Sequence, residues 1–229
     1  MSWRCVKNME NGKEKFHLFD EPLGKGAERT VYPSVEHPDR VVGIYHEGSE
    51  ETPRSMKATF YLTKIVHLLF PKNIPDVQFA ASDPNAVGRT RVELGEEHEI
   101  LKKSLDSNQP DAAEFWVQVE KASTKLSYGE SKKVTKFVEK LYEAGVHPER
   151  SVYNFGTGDE GDIIYVEPFP AFYFSKSKSR WVLAFSPTKI KLAIAGLKDD
   201  ETRSSAQQYL ERIFQLFAEE KEKVAPDSD

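Results

Sequence analysis

The chain has 229 residues, 38% of them hydrophobic and 30% charged, which is enough for one large domain or two small lobes with a sizeable core. Its formal net charge of −5 argues against a nucleic-acid binder driven by phosphate neutralisation, and no apolar run approaches the ~18 residues of a membrane span. A single cysteine, Cys5, excludes an intramolecular disulfide and a cysteine-rich zinc site; with opening residues too polar for a secretory signal, a soluble protein of the reduced cytoplasm is expected.

Residues 1–15 are polar and read as a ragged lead-in. From Phe16 to Tyr45 short strand signals alternate with turns: Phe16 to Phe19, the glycine turn at Gly24, Lys25 and Gly26, Thr30 to Tyr32, a turn at His37 to Asp39, then Val41 to Tyr45. Glycine permits close backbone approach, and the flanking β-branched and aromatic residues favour strands, so a three-stranded antiparallel meander is expected. Thr52 followed by Pro53 is a helix-start signal, and the helix should run over 54–70 to Pro71. It is apolar on most sides (Phe60, Tyr61, Leu62, Ile65, Val66, Leu68, Leu69), which predicts burial. Two strands follow, at Val77 to Ala80 and Arg89 to Leu94, around a turn at 82–88.

Beyond Gly95 the apolar spacing becomes helical, with helices expected at 96–105, 111–126 and 129–144, the last stopped by Gly145. Then come a loop and strand pair over 147–169 and an extended stretch from Phe172 to Phe185 carrying the basic residues Lys176, Lys178 and Arg180. A cap at Ser186 and Pro187 opens a short helix to Ala195, and an amphipathic helix runs over 200–221. The fold class is α+β. The expected division is an N-terminal antiparallel sheet with one buried helix over 1–94, a mainly helical part over 95–222, and a disordered tail at 223–229.

The segment 147–169 holds four groups suited to a divalent cation and a polyphosphate: His147, Glu149, Asn154 and Glu167, the last delivered by the apolar run Ile163 to Val166. The order His-x-Glu-x4-Asn, then an acid thirteen residues after the Asn, resembles the catalytic loop and metal-binding turn of the protein-kinase-like superfamily, whose pattern is His-x-Asp-x4-Asn followed by an Asp. That superfamily includes the protein kinases and the aminoglycoside and choline phosphotransferases. The Gly-x-Gly turn at Gly24 to Gly26, lying between strands, has the form that lays backbone N–H groups over ATP phosphates. Together with the order hairpin, strand, helix, two strands, helices and loop, the resemblance covers roughly residues 18–169.

The resemblance implies a two-lobed kinase-like fold with a reduced helical C-terminal lobe, and ATP with Mg2+ as cofactors. Glu149 would act on the acceptor hydroxyl, His147 would order the loop, and Asn154 and Glu167 would hold metal. Gly24, Lys25, Gly26, Val31 and His46 would lie against the nucleotide. The family pattern also asks for a Lys on the third strand and a Glu on the helix. Here the strand position falls on Gly43 or His46 by two alignments, and 54–70 contains no Glu. Lys25, Arg29, Lys57, Lys64 and His46 are the candidate substitute cations. Both acids are Glu where the family has Asp, and a shift of about 1 Å in a reacting group can cost ~100-fold in rate. The expectation is therefore a nucleotide-binding pseudokinase with weak or absent phosphotransfer. Its competitors are an active ATP- and magnesium-dependent kinase for a small molecule, and a non-enzymatic protein-interaction domain. The small-molecule or protein partner is unspecified, and no nucleic-acid or membrane partner is expected.

Overall fold

The computed structural model describes residues 3–4, 18–25, 29–35, 37–46, 52–79, 86–91, 128–148, 154–157 and 161–223. The helices expected at 96–105 and 111–126, the loop residues 149–153 and the tail from 224 lie outside the described residues.

The amino-terminal half is built on a five-stranded antiparallel sheet. In chain order its strands are β3 (Gly24–Lys25), β4 (Arg29–Pro33), β5 (Arg40–Tyr45), β6 (Val77–Phe79) and β7 (Ala86–Thr90), arranged β3-β4-β5-β7-β6. The meander β3-β4-β5 is present, but its first strand is the glycine turn itself and not Phe16 to Phe19. Leu18–Phe19 (β2) pairs instead with Trp3–Arg4 (β1), so the lead-in carries a strand. Leu18 also forms an isolated antiparallel bridge with Ser34, just past the end of β4, so β2 lies beside the sheet without joining its ladder. Strand β7 also starts earlier than expected, at Ala86 and not Arg89, because Val87 and Gly88 continue the ladder against Gly43 and Val42.

Alternation gives the sheet two distinct faces. Val42 and Ala86 bury with Leu18 in a small cluster on one of them. Val31, Gly43, Tyr45 and Val87 point the other way and line a cleft. Helix α1 (Pro53–Leu69) follows β5, and its start is a reciprocal capping box. The Thr52 hydroxyl accepts from the Ser55 backbone N–H at 3.1 Å, and the Ser55 hydroxyl accepts from the Thr52 N–H at 2.8 Å. The helix ends at Phe70, whose N–H donates to the Val66 carbonyl at 2.9 Å before Pro71 stops further turns. Its buried residues Met56, Ala58, Thr59, Leu62, Thr63, Ile65 and Val66 cover too wide an arc for a surface helix.

The remaining elements complete the main core around α1. They are α2 (Tyr128–Glu143), the hairpin β8 (Phe155–Thr157) and β9 (Ile163–Tyr165), the hairpin β10 (Phe172–Ser175) and β11 (Arg180–Leu183), α3 (Pro187–Ala195) and α4 (Asp200–Glu222). Ala206, Leu210 and Ile213 of α4 join Leu62, Ile65 and Val66 of α1 in one continuous apolar cluster, and Tyr61 stacks on Tyr209 at 5.6 Å. Burying each such aliphatic side chain contributes roughly 1.5–3 kcal/mol. Gly145 closes α2 at a φ of 89°, and a Cβ there would fall 2.7 Å from Lys189 Cβ and 2.9 Å from the Ser186 carbonyl oxygen. Only glycine fits that seat, which lets α2 dock on the start of α3. No described helix is long and apolar enough to cross a membrane.

Candidate functional site

The cleft lies between the inward face of the sheet, the turn after α1 and the segment following β9, and it encloses about 430 Å³ including its open mouth. Its apolar walls are Val31, Val77, Val87, Ile74 and Tyr165; its charged groups are Arg29, Arg89 and Glu167.

Glu167 is positioned from both sides. Upstream, β9 is tied to the turn after α1: the Tyr165 N–H donates to the Asn73 carbonyl at 2.8 Å, and Asn73 Nδ2 donates to the Ile163 carbonyl at 2.7 Å. The Val166 N–H donates to the Asn154 carbonyl at 2.8 Å, which brings Asn154 beside the residue preceding Glu167. Downstream, the Phe169 N–H donates to Thr63 Oγ1 at 3.0 Å and the Ala171 N–H to Thr59 Oγ1 at 3.4 Å. Helix α1 has no acidic side chain for this task, so two hydroxyls one turn apart hold the segment through its backbone. Phe169 is fully buried, with its ring 4.9 Å from that of Tyr165.

A cation reaches the cleft from β4, the strand beside β5. Arg29 stands opposite Tyr45 in the ladder, and its side chain crosses β5 above Gly43, where a Cβ would lie 3.2 Å from Arg29 Cδ. Its guanidinium lies 5.9 Å from the Tyr45 ring centre and forms an ion pair with Glu167, the two side chains being 14% and 27% exposed. Gly43 is one of the two positions to which the resemblance assigns the strand lysine; its missing side chain is what admits Arg29.

Arg89 approaches from the other side of β5, on β7. It sits two residues after Val87 on the same face of β7 and pairs in register with Val41 of β5 and Val77 of β6. The residue as a whole is partly buried, but its Nη1 is shielded from solvent and has no hydrogen-bond partner among the described residues. Burial, then the neighbouring Arg29 cation, bring the Arg89 guanidinium down to a pKa of about 10, while Glu167 and Tyr45 oppose the shift. Two guanidiniums therefore act on one carboxylate.

Of the other expected site residues, Val31 lines the cleft, whereas Gly24, Lys25 and His46 do not. Gly24 and Lys25 form β3 against Val31 and Thr30, with Lys25 exposed. His46 Nε2 lies 2.9 Å from Thr30 Oγ1 in a shared hydrogen bond. Lys57 is exposed, and Lys64 pairs with Asp76 at 2.5 Å, so neither of these helix cations serves the cleft. His147 is exposed, with its ring 5.2 Å from that of Tyr142. Gly26 and Glu149 lie outside the described residues. Asn154 is buried, and the β8–β9 pair brings it and Glu167 to the same end of the hairpin.

A magnesium ion demands near-octahedral oxygen ligation, commonly from one or two carboxylates plus phosphates and water. Among the described residues no three His, Cys, Asp or Glu side chains cluster to hold a metal ion. The carboxylate at the expected metal position is engaged by a guanidinium. As arranged, these residues do not fit a preformed Mg2+ site.

Arg89, Thr59 and Thr63 were not indicated by the motif. The usable signals were an arginine two residues from Val87 on an inward strand face, and two threonines at i and i+4 on an otherwise apolar helix.

The architecture defines an α+β protein with a small charged cleft under an antiparallel sheet. No family model matches the chain, and no curated protein matches it. Among solved structures, one described as the GDP and kanamycin complex of APH(2")-IIia is similar over 93% of this chain and 95% of its own, with 12% identity and a TM-score of 0.31. That TM-score is too low to carry an argument about fold or activity.

Proposed function

We propose that this chain is a degenerate kinase-like protein that binds a nucleotide in the cleft and transfers phosphate weakly or not at all. The observation that carries the reading is the Arg29–Glu167 ion pair above Gly43. It places a cation near the position to which the motif assigns the lysine and ties up the acid to which the motif assigns the metal. The element order supports it: a glycine hairpin, a strand, a buried helix, two strands, and a hairpin delivering Glu167.

In this reading residues 1–94 form the sheet lobe and 95–222 the helical lobe. Val31 lies against the nucleotide in the cleft, with Gly24, Lys25, Gly26 and His46 assigned to it by the motif alone, and Asn154 and Glu167 take the metal-holding positions of the motif. His147 and Glu149 are the remnant of a catalytic loop. Catalysis is weak because Glu149 carries an extra methylene relative to the aspartate of the motif, and because Glu167 must leave Arg29 before it can accept a cation.

Thermal unfolding with added ATP and Mg2+, together with an assay of γ-phosphate release, tests this. The reading expects a nucleotide-dependent rise in Tm with little or no release, unaltered by Glu149→Ala. A ligand at 100 times its Kd adds about 2.7 kcal/mol of apparent stability. No rise at millimolar nucleotide would sink it, and turnover that collapses in Glu149→Ala would replace it with an active small-molecule kinase.

A further inference from the structure

The geometry points to Arg29 and Arg89 as a phosphate subsite that grips a terminal diphosphate directly, with no divalent cation between protein and ligand. This deepens the nucleotide-binding reading and rests on it for the identity of the natural ligand. Three observations on different strands converge. Arg29 reaches over the bare backbone of Gly43 from β4. Arg89 reaches in from β7 and keeps a shielded Nη1 donor that no group of the described residues accepts from. Both line the same cleft as Glu167, the carboxylate that stands against Arg29.

An unpaired buried donor is rare in folded proteins, and one on a guanidinium is strongly disfavoured unless something accepts from it. Glu167 carries one negative charge against two guanidiniums, so among the described residues lining the cleft one positive charge is in excess. Phosphate oxygens suit that vacancy: the planar fork of arginine donates two parallel bonds to a phosphate, and two arginines offer more donors than a single carboxylate can take up. A diphosphate end, with charge spread over several oxygens, engages Arg89 where that residue lines the cleft and competes with Glu167 for Arg29. Glu167 thus acts as an internal stand-in for the anion, holding Arg29 extended over Gly43 until ligand arrives. Magnesium normally neutralises such a diphosphate; here the second arginine supplies that charge.

The shared chemistry of pyrophosphate, tripolyphosphate and a nucleoside triphosphate is this terminal diphosphate. The test is calorimetric titration of the intact protein with inorganic pyrophosphate in EDTA, then with tripolyphosphate and ATP. Pyrophosphate is expected to bind without metal, Arg89→Met to weaken it at least tenfold, and Glu167→Gln to tighten it by releasing Arg29. The gain in Glu167→Gln cannot come from misfolding, and a cooperative melt of Arg89→Met shows that its loss does not either. Pyrophosphate binding that requires Mg2+ and vanishes in Glu167→Gln would overturn the proposal, as would binding indifferent to Arg89→Met. ATP binding that needs Mg2+ and Glu167 but ignores Arg89 would leave the nucleotide reading standing and remove this subsite. Metal-free pyrophosphate binding with no added affinity for ATP over tripolyphosphate would do the reverse.

Discussion

Two charged clusters flank the helix at the centre of this molecule, and they have opposite stoichiometry. At the start of α1 one arginine serves two acids: Arg54 Nε lies 3.0 Å from Glu219 and Nη1 lies 3.4 Å from Glu220. In the cleft two arginines serve one acid, Glu167. The surplus charge of the first cluster reaches water, since the Glu219 side chain is 41% exposed, and the buried Glu220 keeps its cation. The surplus of the second does not, because Arg89 Nη1 is shielded and unpaired. The first arrangement fastens α4 to α1 and is complete as folded. The second leaves a guanidinium donor that an added anion would engage, which is why the proposed subsite lies there and not at Arg54.

The packing that both clusters frame sets the scale of stability. Ile213→Ala, which empties a fully buried position between α4 and α1, is expected to cost about 2–5 kcal/mol by chemical denaturation. A loss under 1 kcal/mol would show that the two helices are less tightly joined than described. Arg54→Ala comes next. It leaves Glu220 buried without its cation, and a loss of roughly 1–3 kcal/mol is expected, reduced from that of a fully buried pair because Arg54 is one-third exposed.

Arg89→Met should act in the opposite direction. Removing a shielded donor with no partner is expected to raise the stability of the free protein by about 1 kcal/mol, read from the denaturation midpoint. A destabilisation as large as that of Arg54→Ala would make the two clusters equivalent and erase the contrast. The mildest change is Gly43→Ala, whose Cβ would press on Arg29 Cδ at 3.2 Å; stability should fall by no more than about 1 kcal/mol while pyrophosphate affinity drops, by titration.

Legibility in the sequence followed the physics of each element. Local chemistry was readable: the Thr52 and Pro53 start of α1, the Gly145 stop of α2, and the strand pair leading to Glu167 each depend on residues close together in the chain. Long-range pairing was not. Trp3 and Arg4 form a strand only because Leu18 and Phe19 are there to receive it, and no periodicity in two residues announces that. The site divided in the same way. Glu167 stood out by its spacing, and Arg29 was among the candidate cations, but choosing it required knowing that Gly43 leaves its path open. Arg89 was hidden by a strand start placed three residues late, which put Val87 in a turn and removed the inward-facing neighbour that would have marked the face Arg89 shares.

The most direct test of the central claim is a melting comparison of the wild-type chain with Arg89→Met, each with and without saturating inorganic pyrophosphate in EDTA. The account predicts that the variant melts higher when both are free, and that pyrophosphate raises the wild type more than it raises the variant. If pyrophosphate raises both melting temperatures equally, or if the free variant melts lower than the free wild type, Arg89 is a structural residue and the cleft is not the phosphate site described.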